Sequence, residues 1–230
     1  MAQAVSRLST DMKTIAVIPV YNEAKHIASV VAGARSHADE VIVVDDASHD
    51  ASGERAVGAG ARVLTHGINL GKASAMKTGC EAALLRGADV ILLLDGDGQH
   101  DPHDIPRFLK EFEDRTVDVV FGSRIDRASM PLIRKAGTAL LEYCMRFLFG
   151  MRSTDMQCGY RGLRASAYPA LRWESKRYHA DAEITAAVGK RGINYRSVPI
   201  RTIYQDPYKG MTVLDGLSLL GKLFVWKFFA

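Results

Sequence analysis

Three short runs of this chain, IAVIPV, EVIVVDD and DVILLLD, are almost continuously apolar, and each gives way to polar or acidic residues. A strand with one wet face alternates apolar and polar residues, so an unbroken apolar run belongs to a strand covered on both faces. Helical patterns separate the runs: residues 23–36 follow the first, 52–58 the second, and 72–86 come after the strand-like ARVLTH. A further helix at 104–112 precedes the strand VDVVFGS. This alternation predicts an α/β fold built on a doubly wound, mostly parallel sheet with a Rossmann-like first half. The second half differs, with an amphipathic stretch over 132–151, a Gly- and Arg-rich segment QCGYRGLRAS, a helix at 181–190 and a last strand at 193–203.

With 47% hydrophobic and 24% charged residues among 230, the chain suits a folded globular unit with a core of its own. Thirty Lys and Arg against 26 Asp and Glu leave only +4, too slight a bias to imply a nucleic-acid partner. Cys80, Cys144 and Cys158 are odd in number and form no CxxC pair, which argues against a disulfide framework or a thiolate zinc site and for a cytoplasmic setting. Residues 1–12 read as a disordered lead-in without a secretory signal, and 13–205 as one catalytic domain with no linker. The segment 206–230 is amphipathic, and Asp215, Lys222 and Lys227 interrupt it too often for a membrane span; three readings stand open, docking on a membrane surface, covering the core, or leading into a longer protein.

Ligands of open α/β sheets bind beyond the carboxyl ends of the strands, where this sequence gathers Tyr21-Asn22-Glu23, Asp45-Asp46 and Asp95-Gly96-Asp97. If the backbone stays extended past the third run, Asp95, Asp97 and Gln99 point the same way and offer oxygen ligands to a hard cation, Mg²⁺ or Mn²⁺. Alternation sends only one of Asp45 and Asp46 into the cleft, where it would accept hydrogen bonds from a nucleobase or ribose. Pro19 marks the exit of the first strand, Tyr21 offers an aromatic face to a base, and Glu23 an acceptor. An apolar strand ending in DxDG also occurs in haloacid dehalogenase phosphatases, with the first Asp as nucleophile. Gln99 and the three strand-helix units before the motif make that a remote alternative.

In their order, PVYNE, VVDDASHD, HGINLGKASAMKTG, LLLDGDGQH, FGSR and TDMQCGYRG resemble family 2 glycosyltransferases of the GT-A fold over residues 14–205. Within that family they look most like polyprenyl-phosphate sugar transferases of the dolichol-phosphate mannosyltransferase type. The resemblance implies that Pro19, Tyr21, Glu23 and Asp46, with Asp45 beside it, bind the nucleoside, and that Asn69 and Lys72 line the nucleotide edge. It further implies that Asp95, Asp97 and Gln99 hold the metal on the diphosphate, with Asp97, Arg124 and Asp155 catalytic. Arg124, Arg134 and Arg201 would form a cationic acceptor pocket on the C-terminal, acceptor-side elaboration.

The implied reaction is metal-dependent, inverting transfer of a hexose from a nucleotide sugar, GDP-mannose ahead of UDP-glucose, to a polyprenyl phosphate at the cytoplasmic face of a membrane. The alternative is a hydroxyl acceptor with Asp155, Asp181 or Glu183 as base. Arg172-Trp173 lacks the preceding Gln of the QxxRW motif of processive synthases, which disfavours polymer synthesis. Two departures from the family pattern stand out: Asp46-Ala47-Ser48 replaces DGS, and Cys158-Gly159-Tyr160 replaces SGF or SGY.

Overall fold

The computed structural model describes residues 12–124, 132–151, 155, 158–175, 179–201 and 213–228. In chain order its elements are β1 (Thr14–Val20), α1 (Ile27–Arg35), β2 (Glu40–Asp45), α2 (Ser52–Gly58), β3 (Arg62–Thr65), α3 (Lys72–Leu85) and β4 (Val90–Leu93). A 3-10 turn at Pro102–Asp104 leads into α4 (Ile105–Glu111), followed by β5 (Val119–Arg124), α5 (Leu132–Phe149) and β6 (Arg161–Arg164). The chain continues through α6 (Tyr168–Leu171), α7 (Ala180–Arg191), β7 (Tyr195–Ile200) and α8 (Val213–Phe228).

The seven strands lie in the order β3-β2-β1-β4-β6-β5-β7, all parallel except β6, which runs antiparallel between β4 and β5. Successive side chains of a strand point to opposite faces, and both faces are buried here. Ile15, Val17, Ile42, Val44, Ile91 and Leu93 pack under α3, α5, α7 and α8, whereas Ala16, Ile18, Val41, Val43, Val90 and Leu92 pack under α1, α2 and α4. This is the three-layer arrangement that the continuous apolar runs require. Gly79 lets α3 lie directly on β1, since a Cβ there would collide with Val17. The chain proceeds from β1 to β2 on one side and crosses to β4 on the other, so the strand order reverses between β1 and β4. The ligand crevice of such a sheet opens at that reversal.

Several local expectations change. The first helix begins at Ile27 rather than residue 23: Asn22, at φ 55°, takes the chain out of β1 in a turn, and the N–H groups ahead of the helix are held by side chains from across the crevice, Ser48 Oγ accepting from Asn22, Ser52 Oγ from Glu23 and Asp50 Oδ2 from Ala24. Pro19 lies inside β1, not at its exit. Pairing with β4 stops at Val17, so the missing N–H of Pro19 breaks no bond on that side. The Gly- and Arg-rich segment supplies the strand β6, and the last strand is confined to Tyr195–Ile200. The lead-in expected at 1–12, apart from residue 12, and the side chain of Arg134 lie outside the described residues.

Candidate active site

The loops after β1 and β2 are fastened to each other. Asn22 and Ala47 both have positive φ, 55° and 62°, and Asn22 Oδ1 accepts the His49 N–H at 2.8 Å. Ala47 occupies the position where the family pattern has Gly, which tolerates this left-handed conformation without a Cβ penalty. The adjacent acids part company. Asp45 Oδ1 accepts the Ser48 N–H at 2.9 Å, and its other oxygen lies where a Cβ on Gly53 would fall. Asp46 is 2% exposed and receives the N–H groups of Leu70 (2.9 Å) and Gly71 (2.7 Å), with His66 Nδ1 at 2.7 Å. His66 Nε2 in turn meets Thr78 Oγ1 at 3.0 Å. Asp46 therefore sets the course of the 66–71 loop, which carries exposed Asn69 and delivers Lys72 to the start of α3. Tyr21 is exposed and stands edge-on to His49 with ring centres 6.3 Å apart.

Beyond β4 the backbone turns instead of staying extended, which corrects the expectation that Asp95, Asp97 and Gln99 share one direction. Asp97 Oδ1 accepts the Gln99 N–H at 3.0 Å, closing an Asx turn. Asp95 faces the crevice and meets Lys72 Nζ at 2.5 Å through Oδ1. The same ammonium lies 3.9 Å from Asp181 Oδ2 at the first turn of α7. Gly159 backs this pair: a Cβ there would stand 3.0 Å from both Asp95 Oδ2 and Lys72 Nζ. Burial would raise the Asp95 carboxyl, but the Lys72 ammonium, helped by Arg161, holds it at about 2. Burial likewise would lower Lys72, and Asp95 and then Asp181 push it above the ordinary lysine value.

Three residues that sequence reasoning gave no role complete the site. His100 is buried, accepts the Asp95 N–H through Nδ1 at 3.1 Å and stacks on Tyr160, which stacks on Phe108. Burial lowers its pKa, so the ring is neutral near pH 7. Arg161 is fully buried; its Nη2 donates to Cys158 O at 2.7 Å and meets Asp181 Oδ1 at 3.0 Å, while Nη1 donates to Asp181 O at 3.0 Å. Gly159 leaves room for the Lys72–Asp95 pair. The usable signal was slight: two arginines, Arg161 and Arg164, in a short Gly-containing segment, with acids in the following HADAE.

On the acceptor side, Arg124 at the end of β5 is held bidentately by the buried Asp155, Nε–Oδ2 2.5 Å and Nη2–Oδ1 2.8 Å. Asp155 is one of three candidate bases for the hydroxyl-acceptor alternative, and here both of its oxygens bind a guanidinium. Glu183 is also engaged, accepting the N–H groups of Glu174 and Ser175 at 2.8 and 3.0 Å. Arg201 follows β7, whose Ile200 pairs with Arg124, so the two arginines lie at the carboxyl ends of adjacent strands. Arg172 pairs with Glu81 and Trp173 Nε1 donates to Ala73 O at 2.9 Å, both tying the chain onto α3. For a divalent cation, the donor set is hard carboxylate oxygen, as Mg²⁺ or Mn²⁺ prefers. Among the described residues no three acidic, His or Cys side chains are placed to hold a metal ion together, so a cation at Asp95 and Asp97 would complete its shell with water or substrate oxygens.

A Rossmann-like half presenting acidic side chains at its switch point, beside arginines at neighbouring strand ends, is the architecture of the GT-A fold. The fold is similar to that of glucosyl-3-phosphoglycerate synthase from Mycobacterium tuberculosis in complex with Mg²⁺ and uridine diphosphate, at TM-score 0.76 and 18% identity over 94% of this chain and 79% of that one. The sequence model of glycosyl transferase family 2 matches residues 15–170, and the chain belongs to that family. It is 31% identical over 237 residues to the UDP-N-acetylglucosamine–dolichyl-phosphate N-acetylglucosaminyltransferase of Methanococcus voltae, covering 92% of this chain and 94% of that protein. It is 32% identical over 209 residues to the undecaprenyl-phosphate mannosyltransferase of Micrococcus luteus, covering 85% of each. Family membership removes the phosphatase alternative.

Proposed function

We propose that this glycosyltransferase moves a hexose, with inversion, from a nucleotide sugar to a polyprenyl phosphate, with GDP-mannose preferred over UDP-glucose. The observation that carries this reading is the engagement of the acids a hydroxyl acceptor would need: Asp155 holds Arg124, Glu183 holds backbone N–H groups, and Asp181 is paired with Arg161. A phosphate monoester is anionic near neutral pH, so its oxygen attacks without a base. The two relatives of nearly matching length, named for dolichyl and undecaprenyl phosphates, support the same acceptor class.

The chain's own groups divide the work. Tyr21, Glu23 and Asn69 flank the nucleoside, Pro19 shapes the floor beneath it, and Asp45 and Asp46 fix the loops that carry them. Arg124, oriented by Asp155, and Arg201 attract the acceptor phosphate, and Arg134 is assigned to the same pocket. The acceptor oxygen forms its bond to the anomeric carbon as the bond to the diphosphate breaks, the electron pair leaving with the diphosphate. Asp95 and Asp97 would hold Mg²⁺ or Mn²⁺, which when bound neutralises charge developing on the leaving group. Exposed Leu140, Tyr143 and Phe147 on α5 and Phe224, Val225 and Phe228 on α8, with Arg146 and Lys227 beside them, form the face we assign to a cytoplasmic membrane surface. No helix among the described residues is long and apolar enough to cross a membrane.

The test offers labelled GDP-mannose, and separately UDP-glucose, with a short-chain polyprenyl phosphate or a free sugar as acceptor. Lipid-linked product that disappears in excess EDTA is expected. Product from the free sugar alone would overturn the acceptor assignment, and full activity in EDTA would overturn the metal.

A further inference from the structure

We propose that Lys72 is a built-in competitor for the cation position on Asp95, so that the divalent cation and the nucleotide bind as a unit rather than the cation first. The inference rests on the metal reading above. The Lys72 ammonium lies 2.5 Å from Asp95 Oδ1, the distance of a close ion pair, on an oxygen the cation would need. Its backbone has little freedom to retreat. Asp46 grips the N–H groups of Leu70 and Gly71 immediately before it, and Trp173 Nε1 binds Ala73 O immediately after it. Gly71, at φ 92°, turns the chain into α3 at this point, a conformation that favours glycine. Gly159 keeps the space behind the ammonium open, and Asp181 at 3.9 Å offers it a second carboxylate.

A dication approaching Asp95 alone meets this fixed positive charge a few Å away, in a crevice where charges are only partly screened. A nucleotide diphosphate changes the balance, because its oxygens are partners for both the cation and the ammonium. Lys72 then exchanges Asp95 for the diphosphate, and Asp95 is released to the cation. Each ligand thereby tightens the other by the same factor.

The experiment titrates Mn²⁺ calorimetrically into the wild-type chain, Lys72→Met, Lys72→Arg and Asp95→Asn, without nucleotide and with saturating GDP or UDP; thermal melts check each variant's fold. Wild type and Lys72→Arg should bind Mn²⁺ weakly alone and at least about tenfold more tightly with nucleotide. Lys72→Met should bind Mn²⁺ at least about tenfold more tightly than wild type in the absence of nucleotide and show a smaller nucleotide effect. Should Lys72→Met prove unfolded, Lys72→Gln serves the same comparison. Unchanged or weaker binding by the folded neutral variant, with binding still lost in Asp95→Asn, would overturn the competition while leaving the metal site standing. No Mn²⁺ binding by any variant, with or without nucleotide, would overturn both.

Discussion

Replacing Arg161 with Met should reveal how much the site depends on one buried cation. The guanidinium is fully buried and makes a carboxylate contact at 3.0 Å and carbonyl bonds at 2.7 and 3.0 Å. Met fills much of the volume but leaves the Asp181 carboxylate, with 12% of its side chain exposed, with the more distant Lys72 as its cationic neighbour among the described residues. Removing one partner of a buried ion pair costs about 3–5 kcal/mol, because the remaining charge keeps its desolvation penalty. For a chain of this size, each kcal/mol lowers Tm by about 2–4 °C, so a fall on the order of 10 °C is expected in a thermal melt followed by circular dichroism. Adding Asp181→Leu to Arg161→Met should recover a large part of the loss, since the stranded charge is gone. A change below about 1 kcal/mol in Arg161→Met, or a double variant less stable than the single one, would refute the idea that this pair is mutually dependent.

Acid stability tests the Lys72–Asp95 pair. Asp95 is held from the ordinary 3.8 down to about 2, so its stabilisation is present above about pH 4 and is lost as pH falls toward 2. Urea midpoints across that window should show a loss of about 2 kcal/mol in wild type that Lys72→Met largely lacks. Asp46→Ala removes the acceptor of the Leu70 and Gly71 N–H groups and should raise the nucleotide-sugar KM more than it lowers kcat; equal falls in kcat and kcat/KM would place Asp46 in the chemical step. Anionic liposomes should sediment the protein at low salt and release it at high salt, and the pair Phe147→Ser and Phe228→Ser, both largely exposed, should weaken sedimentation without lowering Tm appreciably.

The sequence by itself determined the layered α/β architecture, because short, Val- and Ile-rich apolar runs alternating with helical patterns fit strands with two covered faces, and burial on both faces is a local property of the run. It also located the crevice, since Asp46, Asp95 and Arg124 each end or follow a strand. What each group does there was decided by tertiary contacts. Asp155 meets Arg124 across 31 residues, Lys72 meets Asp95 across a strand and a helix, and Asp46 reaches the loop that starts α3. Periodicity records whether a side chain is buried but not which partner satisfies it, so the charge pairing stayed invisible. The antiparallel β6 was missed for a related reason: RGLR has neither an apolar run nor an alternating pattern, and its strand geometry comes from edges that β4 and β5 present on either side. The turn at Asp97 likewise follows from a hydrogen bond to Gln99 that the spacing of oxygen ligands does not encode.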